Sequence, residues 1–202
     1  MKEKENPLVT VMKKKALNLY GPEKSQRIEA YYERRYQELC RQNADEPKAL
    51  KPHTTLKIYP AIAFDEALQK EGLSREEAAR FIYEACEEDA LPGAQSMKNM
   101  LKVPGLYRLM PLGWKIVTRT QFGTAAGFEF HFYDVGHKRV KFDMTKCPYF
   151  EICKKYGCPE IVPAFCHTDD INSENIHPRL LWNRTKTLGN GGDCCDFDLI
   201  VK

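Results

Sequence analysis

Several things are scarce in these 202 residues. No apolar run approaches the roughly 20 residues needed to cross a bilayer, so no membrane partner is expected. Excess charge of one sign is missing as well. The chain has 31 Lys/Arg against 28 Asp/Glu, a formal charge of +3. That balance, without a clustered basic stripe, argues against a nucleic-acid partner. The first twenty residues carry Lys2, Lys4 and Lys13 to Lys15 but no apolar stretch, so no secretory signal is expected and the chain is assigned to the cytoplasm. Disulfides are not expected in that reducing compartment. The paired C-x2-C knuckle of structural zinc sites is absent, and so are the common ferredoxin spacings.

What is present suits a globular protein. Apolar residues make up 43% and charged residues 29%, and a chain of this length buries roughly two-thirds of its surface. No repeat or low-complexity segment interrupts it. The economical organisation is one domain over 1–202, with residues 1–45 as a helical arm and 50–202 as the core.

Helical periodicity covers the first half. Leu8, Met12, Ala16 and Tyr20 recur at four-residue steps, and Gly21-Pro22 breaks the pattern. A second charged helix over 22–42 presents Ile28, Tyr31, Tyr32, Tyr36 and Leu39 on one face. A third spans 53–70, bent or stopped near Pro60. Ser74 and Glu77 form a capping box for a helix reaching about residue 89, and a further helix is expected over 94–110. Residues 64–90 hold nine acids against three bases, whereas 91–128 hold five bases and no acid. A solvated face is the plain reading of that asymmetry.

From Trp114 onward the texture is that of strands. Expected strands are 114–120, 127–134, a short one at 140–142, then 180–187 and 194–200. A helix at about 145–156 stops at Gly157. Helices gathered in the first half and strands in the second make an α+β protein, with a helical N-terminal half packed on a C-terminal antiparallel sheet of about four to five strands.

Six of the eight cysteines crowd the last 56 residues, at positions 147, 153, 158, 166, 194 and 195. Thiols at such density point to a nucleophile, a metal or plain burial. Burial accounts for Cys40 and Cys86. On the final strand Cys195, Phe197, Leu199 and Val201 share the apolar face, leaving Cys194, Asp196 and Asp198 on the other. Arg184 and Lys186 sit near those carboxylates on the preceding strand. They make either a cross-strand salt bridge, worth under about 1 kcal/mol if exposed, or an anion-binding corner in which Arg184 offers its fork. Cys166-His167-Thr168-Asp169-Asp170 carries the parts for nucleophilic catalysis. The same atoms, with Cys195, could also hold zinc with an open place for water.

Three pieces taken together resemble one family. They are Cys147-Pro-Tyr-Phe-Glu-Ile-Cys153 with Cys158-Pro-Glu160, Phe165-Cys166-His167-Thr168-Asp169-Asp170, and Arg184-Thr-Lys-Thr187 with Gly191-Gly192 and Cys195-Asp196-Phe197. The chain resembles the L-2-amino-thiazoline-4-carboxylic acid hydrolase family over residues 50–200, most sharply over 145–200. The resemblance implies hydrolysis of a small cyclic amidine, a thiazoline ring opening toward cysteine. It implies Cys166, Asp169, Cys195 and Asp196 as catalytic residues, with His167 at a more variable place. Arg184, Lys186, Gly191 and Gly192 are the implied substrate-binding residues. In that chemistry Arg184 takes the substrate carboxylate, Asp169 or Asp196 takes the amidinium or carries a proton, and Cys166 or Cys195 attacks the ring carbon. The expected partner is a small-molecule substrate, a homodimer is left open, and no cofactor is expected, with zinc as the alternative. Two rival classes stay open: a non-catalytic small-molecule-binding domain, and a metal or iron–sulfur protein built on Cys147 to Cys166.

Overall fold

A computed structural model describes residues 6–202. Helix α1 (Pro7–Gln42) starts where Asn6 accepts the Leu8 amide with its side chain and Pro7 presets the first turn. Its ladder breaks at Gly21, whose φ of 75° lies in the left-handed region, and Pro22 restarts it. The expected pair of helices is therefore present, joined at a kink. Leu8, Met12 and Ala16 before the kink, and Ile28, Tyr32 and Leu39 after it, are buried.

A short turn, α2 (Lys51–His53), leads through a π-helical stretch at Thr54–Ile58 into α3 (Tyr59–Lys70). The wider turn sits just ahead of Pro60, which has no amide hydrogen to give to Leu56 four residues back. The Leu56 carbonyl instead accepts from the Asn6 side chain at 2.8 Å. Helix α4 (Arg75–Met100) opens with the expected capping box between Ser74 and Glu77. It does not end near residue 89 but runs through the exposed Pro92. The continuation packs closely on α7 (Val162–Ser173), where Gly93 faces Asn172.

Residues 114–120 form no strand. They belong to α5 (Met110–Gln121), which turns Pro111, Trp114 and Thr118 inward at steps of three and four. That period is helical and outweighs the β-branched pair Ile116-Val117. Beyond it, β1 (Glu129–Val135) and β2 (Arg139–Lys146) form a hairpin. Helix α6 (Pro148–Lys155) then ends at Gly157, whose φ is 75°. After α7 come β3 (Leu180–Asn183) and β4 (Cys195–Val201). The expected strand over 180–187 is thus shorter, because from Arg184 the chain leaves the sheet. The sheet is antiparallel in the order β1-β2-β4-β3, and the protein is α+β.

Two apolar cores result. One joins α1, α3 and α4 to α6 and α7 around Phe64, Phe81, Ile62 and Ile161. The other lies under the sheet around Phe128, Phe142, Phe197 and Leu199. Tyr149 packs against both. Each fully buried large apolar side chain contributes about 1.5–3 kcal/mol. Among the described residues, no helix is long and apolar enough to cross a membrane.

Candidate active site

The seam between the two cores is where the chemically capable side chains meet. On α7, Cys166 and Asp169 are three residues apart and Asp170 four, so all three project from one side of the helix. Opposite them stands Arg184, just after β3, with only 3% of its side chain exposed. Its guanidinium donates to Asp169 Oδ2 at 3.2 Å, to Asp170 Oδ2 at 2.6 Å and to the Cys166 carbonyl at 2.7 Å. The rings of Trp182 and Phe197 flank it. The Trp182 indole donates to the other Asp170 oxygen at 2.8 Å. Asp170 is thus fully held, whereas Asp169 accepts through one oxygen only.

Burial lifts the Asp169 carboxyl to about 6, against the pull of Arg184 and with the help of Asp170. Even so, 37% of its side-chain surface is accessible. Cys147, Tyr149 and Cys166 share this combination, since burial raises each pKa and each keeps accessible surface. These residues lie at the seam, deep in the protein and yet not fully closed off from solvent.

Three thiols lie within electrostatic reach of one another there. Burial raises Cys166, while the Thr187 hydroxyl, the Gly189 amide and Arg184 draw it down. Burial pushes Cys195 up to about 12, and its sulfur accepts the Leu188 amide at 3.3 Å. Cys147, at the start of α6, is likewise pushed up to about 12, with Cys166 and Asp169 within electrostatic reach. Cys195 in turn feels Cys166 and Cys147. The chain after β3 is drawn tightly over this group. A Cβ added at Gly189 would stand 2.8 Å from the Cys166 sulfur and 2.8 Å from Val162.

An open cleft of about 350 Å³ lies beside this segment, lined by Asp170, Arg184, Lys186, Thr187, Gly191 and Gly192. Gly191 there has φ of 82°, and Gly192 donates to the Thr187 carbonyl at 2.9 Å. Lys186 is paired with Asp193 and raised by that bond.

The structure brings together Cys166, Asp169, Arg184 and Cys195, with Gly191, Gly192 and Lys186 along the neighbouring cleft. It does not bring Asp196 or His167 to the thiols. Asp196 points to the opposite side of β4 from Cys195. Although burial opposes its charge, it is held below the usual range by the Thr185 hydroxyl and the amides of Lys186 and Thr185. It ties down the chain after β3. Asp198 forms a bidentate pair with Arg139, both contacts at 2.8 Å, so neither carboxylate bonds to Arg184. His167 leaves α7 on another side and stacks on Tyr83 of α4, with ring centroids 4.7 Å apart. The Arg184 fork expected for a substrate carboxylate is occupied by Asp169 and Asp170.

Two participants were not singled out from the sequence. Tyr149 lies within electrostatic reach of Cys147 and Asp169, and its hydroxyl meets His53 Nδ1 at 3.1 Å. His53 Nε2 meets the Gln121 carbonyl at 2.8 Å. Burial lowers His53, so the neutral ring donates from Nε2 and accepts the Tyr149 proton at Nδ1. The signal for Tyr149 lay in the Cys147-Pro-Tyr-Phe segment, but no local signal ties it to His53, 96 residues away. Among the described residues, no group of three or more His, Cys, Asp or Glu side chains is placed to hold a metal ion. The zinc alternative therefore finds no ligand set at Cys166 and Cys195.

Comparison with known proteins places the chain in a family. The model of a family described as L-2-amino-thiazoline-4-carboxylic acid hydrolase covers residues 52–199. No curated protein and no solved structure matches the chain.

Proposed function

Because the chain belongs to the L-2-amino-thiazoline-4-carboxylic acid hydrolase family, we propose that it hydrolyses a C–N bond in a small cyclic amidine of the 2-amino-thiazoline-4-carboxylate kind. The observation that carries this reading is the meeting of Asp169 and Cys166 on one side of α7, deep in the protein yet reachable, with Cys195 facing them from β4. A carboxyl lifted to about 6 both gives and takes a proton near neutrality, as an acid–base catalyst must.

In the proposed sequence, the free oxygen of Asp169 faces the amidine and takes the Cys166 proton as sulfur adds to the amidine carbon. The same proton passes to the ring nitrogen when the C–N bond breaks. Water then attacks the sulfur-bound carbon, and its proton travels through Asp169 back to sulfur. One water is consumed and the thiol is regenerated. Arg184 holds Asp169 and Asp170 in register and acts as a positioning residue. Substrate approaches along the cleft of Lys186, Gly191 and Gly192, with Lys186 as the cation for its carboxylate, since the Arg184 fork is held by Asp169 and Asp170.

A second reading rests on the raised thiols. Burial keeps Cys147, Cys166 and Cys195 protonated at neutral pH, which favours Asp169 activating water directly. Turnover of 2-amino-thiazoline-4-carboxylate, followed by mass spectrometry as the gain of one water, tests both. Asp169→Asn is expected to lose at least about a hundredfold in rate on either reading. Cys166→Ser loses as much only if sulfur attacks, and near-wild-type turnover would leave the water route. No turnover by the wild-type chain over a panel of cyclic amidines, with ligand retained, would make it a binding protein instead.

A further inference from the structure

The basic segment between residues 91 and 128 is electrically unlike its acidic neighbour. In residues 64–90, Glu66, Glu71, Glu84, Glu88 and Asp89 are all ion-paired within the chain, and Glu77 caps α4. In the basic segment, Lys98, Lys102, Arg108, Lys115 and Arg119 make no ion pair among the described residues. Lys102 donates to Asn99, Arg108 to the Tyr107 hydroxyl, and Arg119 lies over the Phe132 ring. Most of these acids are paired internally and the bases are not.

The same segment carries a bare apolar face. Leu109, Leu112 and Ile116 are 57%, 44% and 53% exposed. Steps of three and four place them in one stripe along α5 and the turn before it. Arg108, Lys115 and Arg119, at steps of seven and four, run beside that stripe. The opposite side of the helix is already used, since Trp114 packs on Trp182 and Phe197 of the sheet. Helix α5 therefore has one apolar face on the protein and another facing outward with cations along its border.

We propose that this outer face lies on the surface of an anionic lipid bilayer, with α5 in the plane of the headgroups. Apolar residues outward and Lys/Arg at the boundary are what such a surface selects. No described helix can cross a membrane, but lying on one asks only for a face. The plain reading of the charge asymmetry as a solvated surface does not account for the stripe of Leu109, Leu112 and Ile116. A nucleic acid would leave that stripe without an apolar partner. In a symmetric contact with a second copy, Arg108, Lys115 and Arg119 would face their own kind, and most of the copy's acids over 64–90 are already committed. The inference stands apart from the proposed reaction, since it uses none of the residues at the seam.

Co-sedimentation of the full chain with phosphatidylcholine vesicles, with and without phosphatidylglycerol, tests it. Binding is expected only with phosphatidylglycerol and is expected to weaken with salt. Ile116→Asp should weaken it more than about tenfold. Lys115→Gln should weaken it about fivefold, the worth of one basic residue near such a surface. Leu112→Ser serves as a second apolar variant should Ile116→Asp alter the thermal melt. No binding, equal binding to both vesicle types, or binding untouched by these variants would overturn the proposal. So would sedimentation analysis showing a wild-type dimer that Ile116→Asp converts to monomer, which would assign the face to a second copy.

Discussion

Two buried carboxylates, one in the helical core and one at the seam, show how the same physics yields different roles. Asp65 on α3 is 1% exposed, and burial with nearby Glu160 lifts it to about 7. Gln69 donates to one of its oxygens at 2.6 Å, and the other has no partner. Asp169 on α7 is lifted to about 6 by burial, yet it keeps an ion pair with Arg184 and an accessible edge. A raised pKa is thus common to both cores. What separates a burden on stability from a candidate catalyst is access and a partner that fixes orientation. The helical core encloses its carboxylate, whereas the seam opens a side of its own toward solvent.

Removing Arg184 should give the largest effect on that contrast. Arg184→Met leaves Asp169 and Asp170 facing each other without a cation and is expected to cost about 3–5 kcal/mol in urea unfolding. A loss under about 1 kcal/mol would mean that the pair is not held as described. Asp65 should respond in the opposite direction. Its carboxyl keeps a proton in the fold up to about 7, while the unfolded chain releases it near the ordinary 3.8. Stability is therefore lost as pH rises between those values, and the loss is complete above about pH 7. Asp65→Asn should stabilise the protein by about 4 kcal/mol at pH 8 and by nearly nothing near pH 4. A pH-independent effect would break the comparison. The smallest change sharpens the seam. Gly189→Ala presses on the Cys166 sulfur and Val162 and should cost about 1–2 kcal/mol, with a lower melting temperature. An unshifted melt would show that the chain after β3 is looser than described.

Much of this arrangement is legible in the residues. The alternation from Cys195 to Val201 places Cys195 inward and Asp196 outward, and the capping box at Ser74 and the stop at Gly157 are local signals that tertiary packing leaves intact. Cys166 and Asp169 carry their own signal, a spacing of three that becomes a shared side once α7 is helical. The misread positions are those where distant packing overrides local preference. Ile116 and Val117 favour strands, but Trp114 and Thr118 packing on the sheet makes the segment a helix. The helix expected to stop near residue 89 is carried past it, to Met100, by contact with α7. Adjacency does not pair Cys166 with His167, because neighbours on a helix diverge by about 100°, and the His167 ring stacks on Tyr83. Arg184 was expected beside Asp196 and Asp198, but the chain leaves the sheet one residue after Asn183 and swings the guanidinium to α7. The link between Tyr149 and His53 joins segments with no shared pattern, so no reading along the chain could pair them.

The pH dependence of kcat/KM for 2-amino-thiazoline-4-carboxylate bears most directly on the central claim that Asp169 is the proton carrier of a hydrolytic seam. The rate should rise through a midpoint near pH 6 as Asp169 becomes a base, and Asp169→Asn should remove both the rise and most of the turnover while the protein melts as a folded chain. A variant that turns over at the wild-type rate with the same midpoint would contradict the account.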